Sequence, residues 1–460
     1  MKIDTNWKNL LYIAGVQPLK KKDFGQDEYD LSVHDYRYLE TLFSHIDNGK
    51  SGLSIESHLL QEKPSTETWI NAIKKSFVSN NESGDFADLP LTCIEFPMQG
   101  LVTNMNRLGL ATVSSCCGHG FDKIPGKRRH PYLSFSRPND TYLGMYILKS
   151  SGFKCHIGQY DQLVINENQS RLLEAAILLS EYENVDHFRS QILVERENLL
   201  LKLLEISGRS GDESEIGKIV YKLLKSRLDF VEIDKFGNVL GYKTSHCRLE
   251  KPSVTILLSA HLDVYDNSGE GRQIIRNENI LMRNGGILGA DDRAGIAMII
   301  NCLDMLCQSD HQVNLKIAMT CEEEVGQIGA KKIDARFFEG VDFAISLDRK
   351  GRHDIVYKNP IQVYCNKQKA ELFENLSMRL WGKEGETYKA CIGGISDLRV
   401  WSALGIPSVN LSIGFNHEHT SEETLDLQAW HRAHELLVFS IKHLKFELSP
   451  SYPRSSCTRR

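Results

Sequence analysis

Three consecutive carboxylates, Glu322, Glu323 and Glu324, close the apolar run Leu315-Lys316-Ile317-Ala318-Met319-Thr320 and are followed by Val325-Gly326. Like charges packed at the end of a buried strand are costly unless a cation sits among them. Partners suited to a cation recur along the same half of the chain. His261-Leu262-Asp263 ends one apolar run, Asp291-Asp292 lies in GILGADDRAG, Asp348 ends another run, and His419 lies in NHEHTSEE. Imidazole nitrogens and carboxylate oxygens are the donors zinc prefers, and manganese or cobalt accept a similar set. One carboxylate shared between two ions, with another free to move a proton, would make a two-metal hydrolytic centre.

Such a centre needs elements that hold its parts together. Val254–Ser259, Leu315–Thr320, Phe343–Leu347 and Ser408–Ser412 are short apolar runs, each with turn signals behind it. Helical patterns follow at Arg293–Cys307, Lys369–Leu380 and Ser396–Leu404. Alternating strands and helices predict a mostly parallel, mixed sheet covered on both faces, a three-layer αβα sandwich. Ligands in such sheets gather at the carboxyl ends of the strands, and His261, Glu323, Glu324 and Asp348 all fall just past a predicted strand end. Ahead of this core, Ser190–Ile206 reads as a helix, SGRSGDES as a turn whose Ser210 or Asp212 caps the next helix, and FVEIDKFGNVLGYK as a hairpin.

The chain has 460 residues, room for two domains, and a boundary is expected near residue 190. Residues 1–189 form an α+β accessory region, with helical patterns at 34–45, 66–78 and 168–182 and a stretch from Pro90 to Phe135 that predicts strands with a helix between them. Residues 190–447 form the catalytic region, and the Pro/Ser-rich 448–460 is expected to be disordered. A formal net charge of -5 argues against a general nucleic-acid binder. The N-terminus lacks a signal-peptide pattern, no apolar run reaches spanning length, and the 11 cysteines are scattered, so the expectation is a cytoplasmic protein with free thiols.

The order His-x-Asp, Gly-Ala-Asp-Asp-x-Ala-Gly, Glu-Glu-x-Gly, Asp, His-Thr-x-x-Glu resembles the di-zinc, co-catalytic exopeptidase clan, which holds leucyl aminopeptidase, peptidase T and the glutamyl aminopeptidases. The resemblance covers roughly residues 190–445. It implies an exopeptidase acting on short peptides with two zinc ions, manganese or cobalt being alternatives. His261 and Asp348 would bind the first metal, Glu324 and His419 the second, and Asp291, joined to Asp292 by a cis bond, would bridge both ions. Asp263 would orient His261, and Glu323 would be the general base that takes a proton from the attacking water and gives it to the leaving nitrogen. The step Val325-Gly326 sets this register and leaves Glu322 as an extra carboxylate; His419, followed by Thr420, fits the last motif better than His417, followed by Glu418.

Spacing narrows the resemblance. Asp291 follows His261 by 291 − 261 = 30 residues and His419 follows Asp348 by 419 − 348 = 71, too few for the lid domain of peptidase T and the carboxypeptidases. The motif wording is that of peptidase T and the glutamyl aminopeptidases, the compact spacing that of leucyl aminopeptidase. Two other readings stand beside the aminopeptidase: an N-acyl amino acid deacylase or carboxypeptidase on the same metal core, and a non-catalytic metal-binding regulatory protein. A homo-oligomer is compatible with all three.

Further candidates have a bland and a sharp reading. Asp397 in GGISDLRVW either meets the substrate amino group, orders the His419 loop, or is only a carboxylate at a helix start. His417 and Glu418 either line the substrate pocket or belong to a solvated loop, and Arg293 is placed to neutralise the Asp pair. Cys116, Cys117 and His119 in SSCCGHG would need partners such as Cys93, Cys155, His130 or His156 for a closed metal site. A Gly-rich turn with incidental thiols is the simpler reading. The basic run of Lys123, Lys127, Arg128, Arg129 and His130 offers an anion site or a solvated loop.

Overall fold

The computed structural model describes residues 5–16, 96–116, 130–158, 161–245, 254–309, 313–382 and 387–448, with short pieces at 19–20, 29–30, 39, 42–43, 46, 64–65, 67–69 and 71–73. Cys93, Cys117, His119, Lys123, Lys127, Arg128, Arg129, residues 449–460 and most of the helices expected over 34–45 and 66–78 lie outside the described residues. The chain divides into two compact units, Met1–Ser190 and Gln191–Arg460. None of the described helices is long and apolar enough to cross a membrane.

Unit 1 contains α1 (Thr5–Ile13), a short antiparallel pair β1 (Leu19–Lys20) and β2 (Tyr29–Asp30), α2 (Phe96–Arg107), β3 (Thr112–Cys116), β4 (Tyr132–Phe135), α3 (Pro138–Ser150), β5 (Cys155–Ile157), β6 (Leu163–Ile165) and α4 (Gln169–Glu181). Strands β3-β4-β6-β5 form an antiparallel sheet in that order. In the described part of 90–135, the helix α2 precedes both strands. Asn168 caps α4 by accepting a hydrogen bond from the Arg171 amide at 3.0 Å, the role short polar side chains take at a helix start. One core gathers Trp7, Leu10, Leu11, Phe43, Trp69 and Leu173, with the Trp7 and Trp69 rings edge to face at 5.8 Å.

The division at Ser190 falls inside α5 (Asp186–Leu204). Unit 2 continues through α6 (Ser214–Lys225), the hairpin β7 (Phe230–Ile233) and β8 (Val239–Lys243), β9 (Thr255–His261), β10 (Ile274–Asn277), β11 (Ile280–Arg283), α7 (Ala290–Leu306), β12 (Asn314–Thr320), α8 (Ile328–Lys332), β13 (Phe343–Arg349), β14 (Asp354–Lys358), α9 (Lys367–Trp381), β15 (Lys389–Ile392), α10 (Leu398–Ala403), β16 (Ser408–Ser412), β17 (Phe415–Asn416), β18 (Thr424–Asp426) and α11 (Leu427–Leu448). Eight strands form one sheet in the order β15-β14-β16-β13-β9-β12-β8-β7. The central strands β16, β13, β9 and β12 run parallel, and β8 and β7 add antiparallel at one edge.

Both faces of this sheet are covered, which is why β9 (TILLSAH) is buried along its whole length and apolar over most of it. On one face Leu240, Leu257, Ala318, Ala344 and Val356 pack against Phe338, Leu398 and Trp401. On the other, α7 packs on β9 and β13, and Phe343 stacks on Phe373 of α9 at 5.8 Å. Helix α7 is buried on every side because α11 covers its back, so its sequence shows no polar stripe. The architecture is the expected three-layer αβα sandwich. A smaller antiparallel sheet, β10-β11-β18-β17, carries the 417–423 loop between its last two strands.

Two local expectations are corrected. Neither Ser210 nor Asp212 caps α6; the helix starts at Ser214 after Glu213, without a side-chain cap. The helix expected over Ser190–Ile206 starts earlier, at Asp186, and ends at Leu204.

Candidate metal centre

The parallel strands deliver their carboxyl ends to one crevice. His261 is the last residue of β9, with its side chain 2% exposed, and its ring is held at both nitrogens. Its Nδ1 lies 3.0 Å from the Asp263 main-chain oxygen and 3.3 Å from the Asp263 carboxylate; its Nε2 lies 3.0 Å from Asp291 Oδ1 and 3.9 Å from Asp348 Oδ1. Asp348 sits within β13 rather than past its end. Asn410 on the neighbouring β16 brackets its peptide unit, accepting from the Asp348 amide at 2.9 Å and donating to the Asp348 carbonyl at 2.6 Å.

The GADDRAG segment serves geometry as much as charge. Gly289 takes a left-handed φ of 77° ahead of α7, and the Asp291–Asp292 peptide is cis. Asp292 does not point at the other acids' shared space. Its carboxylate accepts from the His261 amide at 3.1 Å and from the Gly295 amide at 3.1 Å, tying α7 to the end of β9. A Cβ on Gly295 would lie 2.4 Å from Leu347 O and 2.4 Å from Asp292 Oδ1, so only glycine lets α7 approach β13 closely enough to bring Asp291 beside Asp348. Arg293 is fully buried but binds carbonyls, Leu262 O and, at 3.2 Å, Ile206 O; it acts on Asp263 and Asp292 through space.

The second group comes from two loops. His419, at φ 65°, places Nε2 2.7 Å from Glu324 Oε1 and 3.3 Å from Asp291 Oδ2. Glu423, the acid that closes the His-Thr-x-x-Glu pattern, is buried and accepts from the amides of Gly289 at 2.7 Å and Asp291 at 3.0 Å, clamping the His419 loop to the Asp291 turn. Two sets of donor atoms result, His261/Asp291/Asp348 and Asp291/Glu324/His419, with the atoms in each within 4.8 Å of one another. Asp291 belongs to both, offering Oδ1 to one side and Oδ2 to the other.

The acidic triplet is held by other acids. The Glu322 amide donates to Glu213 Oε1 at 3.0 Å, the Glu323 amide to Asp263 Oδ1 at 3.0 Å and the Glu324 amide to Asp263 Oδ2 at 3.1 Å. Ser210 donates its hydroxyl to Asp263 Oδ2 at 2.7 Å, which is what that serine does instead of capping α6. Asp263 therefore orients His261 and fixes the turn that carries Glu323 and Glu324. Burial works against its charge, but His261 beside it and these donors hold its carboxyl down at about 2. Glu323 is buried; Gln327 donates to its Oε1 at 3.1 Å.

The charge balance calls for a cation. Burial pushes Glu323 up to about 8, with Asp397 and Glu324 adding to the rise, and burial with Asp291 pushes Asp348 well above the usual carboxylate range. The carboxylates of Asp291 and Glu324 pull His419 up to about 10. Glu324 Oε1 is buried and makes no hydrogen bond, although His419 Nε2 is 2.7 Å away. Two ligand atoms that close together without hydrogen-bond alignment fit donors aimed at a common point. Three nitrogen and oxygen donors per set, with one carboxylate common to both, suit a pair of divalent ions.

Asp397 opens α10 without capping it; its Oδ2 accepts from Thr320 Oγ1 at 2.5 Å, while Oδ1 is buried and unpartnered. Burial raises Asp397 to about 6. Glu418 pairs with Lys350 at 2.6 Å, and His417 is exposed at φ 55° with no described contact to either donor set. Sequence reading passed over Glu213, Asn410 and Tyr265, whose ring stacks on His419 at 4.7 Å and 13°. Only Glu423 carried a signal, its place in the final motif.

Residues 273–372 match the family described as M42 glutamyl aminopeptidase. A peptidase T-like protein of Yersinia pestis is 31% identical over 115 residues, 24% of this chain and 28% of that protein. Peptidase T of Alkaliphilus oremlandii is 29% identical over 205 residues, 35% of this chain and 50% of that protein. The chain thus spans half or less of the length of these curated relatives. Among solved structures, aminopeptidase PepT of Bacillus cereus superposes with a TM-score of 0.48 at 18% identity, over 55% of this chain and 98% of that one.

Proposed function

We propose that this chain, a member of the co-catalytic (di-zinc) exopeptidase clan through its C-terminal unit, is a metal-dependent aminopeptidase acting on short peptides. The observation that carries the reading is the sharing of Asp291 between the two donor sets, with Glu323 buried beside them. His261, Asp291 and Asp348 would hold one zinc and Asp291, Glu324 and His419 the other; manganese or cobalt would fit the same donors. Two ions so held would supply Lewis acidity for the scissile carbonyl and for the attacking water.

The chain's own groups then do the rest. Gln327 occupies Glu323 Oε1, leaving the second oxygen to take a proton from water and return it to the leaving nitrogen. Asp263 keeps His261 oriented and the Glu323–Glu324 turn in place. Asp397 offers an unpartnered, buried oxygen to the substrate's amino group, and His417 and Glu418 sit at the exposed side of the loop where the peptide would leave. The free thiols among the described cysteines fit a cytoplasmic protein.

Metal analysis with a panel of free-amine, N-blocked and N-acyl substrates tests the reading. The expected result is two equivalents of metal and cleavage of free-amine peptides only. Cleavage confined to N-acyl amino acids or to carboxyl ends would select the deacylase or carboxypeptidase; no hydrolysis by the metal-loaded protein would leave a binding protein. Glu323→Gln should keep both metals and lower turnover by roughly 10²–10⁴-fold, the range of general-base catalysis. A Glu323→Gln variant with both metals bound and a parental rate would refute the base assignment.

A further inference from the structure

The two histidines of the centre are held in opposite ways. His261 is buried, and both ring nitrogens have oxygen partners. His419 has a side chain 37% exposed, on a loop where His417 and His419 both take positive φ. Only Nε2 of its ring meets ligand-set oxygens, and no described acceptor meets Nδ1. A metal-binding histidine ordinarily has its second nitrogen fixed by a carboxylate or carbonyl, which sets tautomer and ring plane. Among the described residues none supplies that restraint, and what lies flat against the ring is Tyr265, centroid to centroid at 4.7 Å with 13° between planes.

Tyr265 is well placed to be rigid. It follows His261-Leu262-Asp263-Val264, the segment that carries the other histidine. The Val264 amide donates to Gly208 O at 2.9 Å, and Val264 bridges to Arg209, so the backbone next to Tyr265 is pinned on the strand side. Among the described residues no hydrogen bond to the Tyr265 hydroxyl is found, and the residue remains 55% exposed. Its fixed feature is the ring face it shows to His419.

We propose that Tyr265 is the positioning residue of the second metal subsite: by stacking, it replaces the missing hydrogen bond to Nδ1 and holds the His419 ring toward Glu324 and Asp291. The proposal rests on the two-metal reading above. It makes the two subsites unequal, one held by hydrogen bonds and one by an aromatic platform.

Cobalt(II) titration of the metal-free full-length chain, followed by visible absorption and by competition with a chelator, tests it. In the parent, two equivalents bind. In Tyr265→Ala the second equivalent should bind roughly ten-fold more weakly, from the loss of a stacked ring pair and of ring orientation, and the first should be unchanged. Tyr265→Phe should restore parental binding, because the ring and not the hydroxyl does the work; far-UV circular dichroism checks that the variants fold. Equal binding of both equivalents by Tyr265→Ala overturns the proposal, as does a Phe variant as weak as Ala. A parent that fails to bind two equivalents instead fails the two-metal reading itself.

Discussion

Replacing Asp263 by alanine should do more damage than the loss of one ligand-orienting contact. Its carboxylate accepts from Ser210 Oγ at 2.7 Å, from the Glu323 amide at 3.0 Å and from the Glu324 amide at 3.1 Å, in a position with no solvent exposure. The serine can rotate to another acceptor, but the amides cannot, and each buried donor left unmade costs about 1–3 kcal/mol. We therefore expect Asp263→Ala to lower the stability of the metal-free protein by about 3–5 kcal/mol, and Asp263→Asn, which keeps one acceptor oxygen, by about 2 kcal/mol. Denaturant unfolding in the presence of a chelator measures both. The pH dependence has a definite sign. The carboxyl is depressed to about 2 in the fold, from an ordinary 3.8, so its contribution is complete above 3.8 and disappears as the pH falls through about 2. The parent and Asp263→Ala should differ by a constant amount from neutral pH down to about 4, and the gap should narrow below it by about 2.4 kcal/mol, the worth of a shift from 3.8 to about 2. Metal affinity should fall roughly 10-fold, because the turn carrying Glu323 and Glu324 loosens while His261 Nδ1 keeps only the main-chain oxygen of residue 263. An alanine variant with parental stability and metal affinity would refute the claim that this carboxylate holds the acidic turn.

Two further predictions follow from the same contacts. Gly295→Ala drives a methyl to 2.4 Å from Leu347 O and Asp292 Oδ1, so α7 must retreat from β13; the expected cost is about 1–3 kcal/mol in unfolding, with weaker metal binding because Asp291 moves with the helix, and a variant with a parental melting temperature and metal content would count against it. Glu197 is raised by burial but pulled below its ordinary 4.5 by His431 at 2.9 Å and Arg276 at 2.6 Å. Since Arg276 is half exposed, its share is small. Glu197→Gln should cost about 1–2 kcal/mol above pH 4.5, a gap that closes as acid protonates the parent; a gap that widens in acid would reverse the assignment.

What the sequence revealed and what it hid divide along a physical line. The parallel strands β9, β12, β13 and β16 were legible because burial on both faces makes each a short, apolar-rich run, and turn residues bound each one. The residues named as ligands were legible because a cation demands particular donor atoms, and their order along the chain is fixed by where the strands end. The structure brings His261, Asp291, Glu324, Asp348 and His419 into two donor sets from segments spread between residues 261 and 419. Helix starts were less legible. SGRSGDES offers Ser207, Ser210, Asp212 and Ser214 as residues able to cap, and the fold spends Ser210 on Asp263 while the neighbouring Glu213 accepts from the Glu322 amide. A capping preference is worth about 1 kcal/mol, and leaving an amide of the acidic turn unmet would cost as much or more, so the turn takes the side chains.

The same reasoning explains why Glu213 and Tyr265 escaped notice while Asp263 did not. Asp263 sits two residues from a histidine, a spacing that signals an orienting acid. Glu213 is 322 − 213 = 109 residues from the amide it accepts from, and Tyr265 lies 419 − 265 = 154 residues from the ring it stacks on. Neither carries a local pattern, because what each satisfies, a backbone N–H or a ring face, is a demand that many residue types can meet. Ligands are constrained by the ion and therefore appear as motifs; the groups that hold ligands in place are constrained only by geometry. In this centre the second class is at least as well developed as the first: Glu213, Asp263, Asn410 and Glu423 each meet one or two main-chain amides that would otherwise leave the ligand-bearing turns free to move. Substitutions at those four positions should therefore weaken metal binding although none of the four belongs to either donor set, and parental metal affinity in all four variants would count against this division.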